Sequence, residues 1–386
     1  MGYDSMKQKI LYISGSRADY GLMRSVLSAI HHHSSMELHV AVTGMHLMPE
    51  FGSTFKEIKK DGYSCHVINA IHQEDTKGSM ALFIGLFIQE FIPLVKNLKP
   101  DVIMVLGDRG EMLGGAIVGA YMGIPVVHIH GGEVTSTVDE FARHAITKLS
   151  HIHLPATEES AQRIIKMGED PRHVFVVGAP GLDQIRLIQS VPTKETIDRY
   201  HIDPGTPIII VLQHPVPLEP GDPAFQMDQT MKAVFDLDCQ IFVIYPNADA
   251  GGREMIEVIK KYESNTKIRT FQSLDTLDFL NLLKISSVLV GNSSSGIIEA
   301  PSFGVPAVNI GSRQQGRQKG ENIINTGYNS HEITKAIDRA LHDNDFKRKV
   351  KTANNPYGVG DSSRKIVEIL KNIVITPDLL QKRMMY

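Results

Sequence analysis

Short runs of uninterrupted apolar residues alternate along the chain with longer segments whose apolar residues recur every three or four positions. The first series of runs is ILYIS (10–14), LHVAVT (38–43), CHVIN (65–69), DVIMVLG (101–107), PVVHIHGG (125–132) and HIHLPA (151–156). Between them the periodicity predicts helices over 20–32, in FKEIKKDG, over 78–98, from Glu111 onward and over 139–150. Strands that are apolar throughout, separated by helices, form a parallel sheet covered on both faces. Around 186–206 the pattern weakens into mixed polar, Pro and Gly residues, then restarts with PIIIVLQ (207–213), CQIFVIYP (239–246), KIRTF (267–271), SVLVGNS (287–293) and VPAVNIG (305–311). The reading is two Rossmann-like, doubly wound α/β domains facing across a cleft. Residues 1–190 form the first, 191–365 the second, and 366–386 a C-terminal helix or tail packing back on the first.

Composition narrows the function. A chain of 386 residues accommodates about two domains at ~150 residues each. The formal charge of −3 gives no bulk attraction to nucleic acid or an anionic membrane, and the absence of Trp with only 6% aromatics argues against stacking platforms. Cys65 and Cys239 are read as buried thiols, because two widely separated cysteines make neither a disulfide framework nor a zinc site. The first nine residues lack the apolar segment of a signal peptide, and Met6 breaks a myristoylation pattern. The longest uninterrupted apolar run, ALFIGLFI (81–88), falls short of the ~20 residues a spanning helix requires. A cytoplasmic protein without membrane contact is expected.

In parallel sheets ligands gather beyond the carboxyl ends of the strands. The first strand is followed by SGSRADYG, with Arg17 and Asp19; this lacks the dinucleotide fingerprint but suits a phosphate or polar sugar group. LGDRGE supplies Asp108 and Arg109, and HIHGGE supplies His130 and Glu133. In DEFARHA, Asp139 and Arg143 stand four apart near a helix start and share one face. Asp108, Glu133 and Asp139 thus converge at one rim, where neighbouring carboxylates can divide acid and base roles. The alternating His128/His130 and His151/His153 suggest metal ligands only superficially, since His128 and His151 precede their strand ends. In the second half, LQHP puts His214 at a strand end, and GNSSSGIIEA puts Ser293, Ser294, Ser295 and Gly296 at a helix start as a diphosphate cradle with Glu299 one turn on. YPNADAGG adds Asn247 and Asp249, and GSRQQGR adds Arg313 and Arg317.

SGSRADYG, GDRGE, HIHGGE, DEFARHAITK, LQHP and GNSSSGIIEAPSFGVPAVNIGSRQQGR, in this order from about residue 9 to 370, resemble the hydrolysing branch of the UDP-N-acetylglucosamine 2-epimerase family. The resemblance implies the two-domain GT-B fold, a homodimer, no cofactor and no metal. It also implies a two-stage reaction: UDP leaves C1 as the C2 proton is removed, and water then adds to the 2-acetamidoglucal to release the sugar with C2 inverted. On it Asp108, Glu133 and Asp139 become the acid set, with Arg143 and His214 stabilising the departing diphosphate. Arg17, Ser294, Ser295 and Glu299 match the nucleotide contacts. The aspartate at 139, where non-hydrolysing relatives carry glutamate, favours the hydrolysing branch. UDP-GlcNAc, giving ManNAc for sialic acid synthesis, and UDP-N,N′-diacetylbacillosamine, serving legionaminic acid synthesis, are both open as substrates. A GT-B glycosyltransferase and a non-catalytic nucleotide-sugar sensor are the rival readings.

Overall fold

The structure is a computed structural model that describes residues 7–48, 54–71, 77–134, 139–189, 193–216, 219, 221–246 and 251–385. Its chain divides into two compact units. The first takes the chain up to Glu133, Val138–Asp183 and everything from Gly360 onward; the second takes Val134–Thr137 and Gln184–Val359.

In the first unit six strands, β1 (Gln8–Ser14), β2 (Met36–Val42), β3 (Ser64–Val67), β4 (Val102–Leu106), β5 (Val126–Ile129) and β6 (Ile152–Leu154), form one sheet. All pairs are parallel and the order is β3-β2-β1-β4-β5-β6. The second unit repeats the plan with β7 (Ile208–Leu212), β8 (Gln240–Ile244), β9 (Ile268–Phe271), β10 (Val288–Gly291), β11 (Ala307–Ile310) and β12 (Ile323–Thr326), ordered β12-β11-β10-β7-β8-β9. In each, the chain reverses direction of travel across the sheet beside the first strand, which is where the strand ends splay to admit a ligand. β12 is absent from the sequence reading. As a half-buried edge strand, INT-rich and only four residues long, it lacks the apolar run that marks its neighbours.

Each sheet is buried on both faces. The central strands β4 and β7 are enclosed along their whole length, which is why they read as unbroken Val, Ile, Leu and Met. The helix Lys77–Leu98 lays Phe83, Phe87, Phe91 and Val95, four apart, into one face of the first core. Its segment Gly78–Leu98 is apolar enough on average to cross a membrane by length and composition, a property that a count of uninterrupted apolar residues does not register. The phenylalanine stripe packs into the first core, and 28% of that segment is buried.

The chain leaves the first unit after Asp183 and returns at Gly360, earlier than the 190 and 365 read from composition. The Asp183 carboxylate accepts from the backbone N–H of Ser362 (2.9 Å) and Ser363 (2.6 Å), fixing the start of the helix Ser362–Asn372. At Gly360, in the left-handed region, a side chain would meet the Leu182 carbonyl oxygen at 2.7 Å, so the outgoing and returning backbones touch there. The returning helix contributes Ile366 and Leu370 to the first core, and Leu379 joins them further along the chain.

Beyond that helix, Lys382 donates to the carbonyls of Thr147, Lys148 and Ser150 at the end of the helix Asp139–Leu149. It also pairs with the buried Glu169 carboxylate at 2.5 Å, which receives Lys148 (2.6 Å) and His153 (3.0 Å) as well. Burial opposes the charge on Glu169, but hydrogen bonds from His153, Lys148 and Lys382 outweigh it and hold the carboxyl down at about 2. Because this lies below its unfolded value, Glu169 contributes stability above the ordinary carboxylate range that is lost as pH falls toward 2. Glu169→Gln should therefore show a shallower acid decline in Tm than the native chain between about pH 5 and 2. Lys382→Met, which leaves a buried charge short of a partner, should cost about 2–4 kcal/mol in urea unfolding at pH 7.

Candidate active site

The polar groups of the first unit are set at the carboxyl ends of β1, β4 and β5. After β4 the chain turns through Gly107, in the left-handed region, before Asp108 and Arg109. His128 on β5 fixes that turn, with Nε2 2.8 Å from the Gly107 carbonyl and Nδ1 3.1 Å from the Thr147 hydroxyl. Burial pushes its imidazole down to about 3, so it is neutral and serves as a two-point hydrogen-bonding strut. Arg143, from the helix Asp139–Leu149, donates Nη2 to Asp108 and Nη1 to the His130 carbonyl at 2.7 Å. His130 itself sits at φ +61, and its Nδ1 lies 2.5 Å from Glu133 Oε1. Glu133 is 4% exposed. Guanidinium, two loop ends, imidazole and carboxylate thus form one chain of contacts.

Beside it, Arg109 Nε donates to Glu111 Oε1 at 2.6 Å. Glu111 is only 1% exposed and lies so close to the β1 turn that a side chain at Gly15 would meet its oxygen at 1.8 Å. The LGDRGE run contains this carboxylate, but spacing alone does not place it with the acid set, because its burial against a glycine has no local sequence signal.

Two of the side chains singled out from the sequence in this unit are engaged within the protein. Asp19 offers no free carboxylate to a ligand, because it is built into the turn. It accepts from the Ser14 hydroxyl (2.5 Å), the Gly15 and Ser16 N–H (3.0 and 2.6 Å) and the Ser16 hydroxyl (2.8 Å), closing a capping box with Ser16. Burial, joined by the neighbouring Glu111 charge, lifts it to about 6 against those hydrogen bonds. Arg143 is buried on Asp108 and the His130 carbonyl. Arg17 pairs loosely with Glu57 at 3.4 Å, both about two-fifths exposed, and so presents its charge to solvent. Asp139 begins its helix, but its side chain lies outside the described residues. Among the described residues no three His, Cys, Asp or Glu groups gather as a metal site.

In the second unit the corresponding rim is the carboxyl end of β7 and β10. His214 comes just after β7; burial, then the Arg313 charge, push its imidazole down to about 3. Its backbone is held by Asn292, just beyond β10. The serine turn does open a helix, but a short one: Ser295–Ile298 is a single turn, continued by the 3-10 segment Ala300–Phe303. Within it the Ser293 hydroxyl and carbonyl already receive the N–H of Ser295 (3.3 Å) and Gly296 (3.2 Å). A one-turn helix has little macrodipole, so anion binding there would rest on local N–H and hydroxyl groups. Glu299 is buried at the end of that turn. Arg313 Nη1 reaches the Asn292 carbonyl at 3.2 Å, and Arg317 Nε the Val134 carbonyl at 3.2 Å. Asn247 and Asp249 lie outside the described residues.

Comparison with known proteins places these groups in context. The family model described as UDP-N-acetylglucosamine 2-epimerase matches residues 28–371. The chain is 42% identical over 378 residues, 98% of its length and 99% of the relative's, to the hydrolysing UDP-N,N′-diacetylbacillosamine 2-epimerase of Legionella pneumophila. It is 37% identical over 370 residues, 95% of each, to a UDP-N-acetylglucosamine 2-epimerase of Neisseria meningitidis serogroup B. Among solved structures, a Neisseria meningitidis UDP-GlcNAc 2-epimerase bound to UDP-GlcNAc superposes with a TM-score of 0.81, covering 95% of this chain and 100% of that one at 18% identity. That likeness gives the fold, the GT-B type of two six-stranded parallel-sheet domains.

The strain at His130 is testable apart from any activity. His130→Ala and His130→Gly both remove the imidazole from Glu133, but only alanine keeps the cost of a side chain at positive φ. The glycine variant should be the more stable of the two by about 1 kcal/mol in denaturant unfolding. Equal stabilities, or a more stable alanine variant, would contradict the left-handed backbone at this position.

Proposed function

The chain belongs to the UDP-N-acetylglucosamine 2-epimerase family, and on that premise we propose that it is a hydrolysing 2-epimerase of a UDP-linked 2-acetamido sugar. The observation that carries the proposal is near-complete coverage of a hydrolysing relative at 42% identity, joined to the oriented carboxylates of the first unit. In the first stage a carboxylate takes the C2 proton, the C1–O bond to UDP breaks and a C1–C2 double bond forms. In the second, water adds its hydroxyl to C1 while a proton returns to C2 from the opposite face. The sum is UDP-sugar plus water to UDP plus the free, C2-inverted sugar. No electrons are gained or lost, so no redox cofactor is proposed.

We assign the proton transfers to Glu133 and Asp108, with Asp139 as the third acid. His130 orients Glu133 at 2.5 Å, and Arg143 holds Asp108 in place. His214, Arg313, the turn Ser293–Ser294–Ser295–Gly296 and Glu299 are assigned to the nucleotide diphosphate, with His214 donating to the leaving group as a neutral imidazole. Arg17, Arg109, Asn247, Asp249 and Arg317 complete the proposed substrate contacts. Between the two substrates, the higher identity to the diacetylbacillosamine enzyme favours UDP-N,N′-diacetylbacillosamine over UDP-GlcNAc.

A homodimer is proposed from the apolar side of Lys77–Leu98 left uncovered: Met80 is 48% and Leu82 74% exposed, and Tyr121 on the adjoining helix is 86% exposed. We place the protein in the cytoplasm, where the unpaired Cys65 and Cys239 stay reduced.

Offered both UDP-sugars without acceptor, the protein should release a free sugar, preferentially from the diacetylbacillosamine donor, and NMR of the product identifies it. In deuterated water one solvent deuterium should appear at C2; protium there rules out the elimination. Asp108→Asn and Glu133→Gln should each lower kcat by about 10²–10⁴ with UDP affinity nearly kept. Leu82→Glu should shift the mass seen by light scattering from dimer to monomer.

A further inference from the structure

The end of β10 comes into backbone contact with the end of β7. At Gly291, φ +135, a side chain would lie 2.1 Å from the Leu212 carbonyl oxygen and 3.1 Å from the Gln213 nitrogen. Only glycine permits that approach, and it sets the next residue, Asn292, directly against His214. The Asn292 side chain is fully buried and uses both ends of its amide on that one residue: Oδ1 accepts the His214 N–H at 2.7 Å and Nδ2 donates to the His214 carbonyl at 2.8 Å. The Asn292 carbonyl in turn receives Gln314 Nε2 at 2.8 Å and Arg313 Nη1 at 3.2 Å. One residue therefore ties together His214, the loop after β11 that carries Arg313, and the first residue of the serine turn.

We infer that Asn292 is a positioning residue for the leaving-group side of the reaction, holding His214 and Arg313 in fixed register through its amide and its carbonyl. This rests on the assignment of His214 proposed above. The donor–acceptor pair explains the residue type. Aspartate has the same shape but, when ionised, two acceptors and no donor, so the His214 carbonyl would face a carboxylate oxygen. Glutamine carries the same pair one methylene further out and would displace His214. Alanine leaves a buried N–H and a buried carbonyl without partners.

The experiment compares Asn292→Ala, Asn292→Asp, His214→Ala and the double variant Asn292→Ala/His214→Ala, with kcat and KM on the preferred UDP-sugar, UDP affinity by calorimetry and Tm. Asn292→Ala should lower kcat at least about tenfold, since a displacement on the order of 1 Å can cost ~10²-fold. In the His214→Ala background the same change should have little further effect on kcat, within about twofold. Asn292→Asp covers the case in which the alanine variant does not fold. Its activity relative to the native enzyme should rise as pH falls and the carboxyl regains a proton to donate to the His214 carbonyl.

Two results overturn the inference while leaving the His214 assignment standing. One is that His214→Ala is impaired but the Asn292→Ala loss is multiplicative with it; the other is that Asn292→Asp matches native kcat at every pH. If His214→Ala turns over like the native chain, the assignment itself fails and the inference with it.

Discussion

Arg143 joins two loops that have no covalent reason to stay together. Its guanidinium leaves water to meet Asp108, after β4, and the carbonyl of His130, after β5. Removing a charge from solvent is tolerable only when both ends of the pair are hydrogen-bonded, and deleting one end strands the other at a cost of several kcal/mol. The contact consequently fixes more than an ion pair. Holding the His130 carbonyl helps keep that residue at positive φ, and the positive φ turns the imidazole toward Glu133. His128 supports the same arrangement from beneath by holding Gly107. The two carboxylates assigned to proton transfer thus owe their directions to the buried Arg143 guanidinium and the His130 imidazole.

The second unit repeats the strand order but dresses its rim differently. Where the first uses ion pairs, the second uses amides: Asn292 on His214, Gln314 on Asn292, and Asn322 on the carbonyls of Gly296 and Val305 at 2.9 and 3.1 Å. Neutral amides orient backbone without adding charge of their own. Amide and N–H donors suit a ligand which brings its own negative charge. A proton-transferring rim has the opposite need, since its acids must be held apart from each other and in fixed directions. One topology supports both because the sheet sets where the strand ends lie and leaves the choice of loop residues beyond them open.

Much of this is legible in the chain. Eleven of the strands announce themselves as apolar runs, and strand-end logic alone singles out Asp108, Glu133, His130 and His214. The features that escape it do so for physical reasons. β12 is an edge strand with no apolar run. Asp19 reads as a ligand-facing acid from spacing, yet its side chain turns inward because the N–H groups of Gly15 and Ser16 require acceptors. The serine turn resembles a helix start, but the helix closes after one turn, just before Pro301. Asn292 looks like one more polar residue in a small-residue run; its importance depends on a backbone contact between strands about eighty residues apart, which no local pattern encodes.

Among the described residues the first rim packs two acids close together. Asp19 and Glu111 share Arg109 as the nearby cation that opposes their repulsion, and Gly15 brings the Glu111 carboxylate against the very turn that Asp19 caps. Asp19 responds by rising to about 6, first through burial and then through its neighbour's charge. Because burial leads and the Glu111 charge adds to it, the upward shift of Asp19 originates in close packing at a glycine as much as in the neighbouring acid.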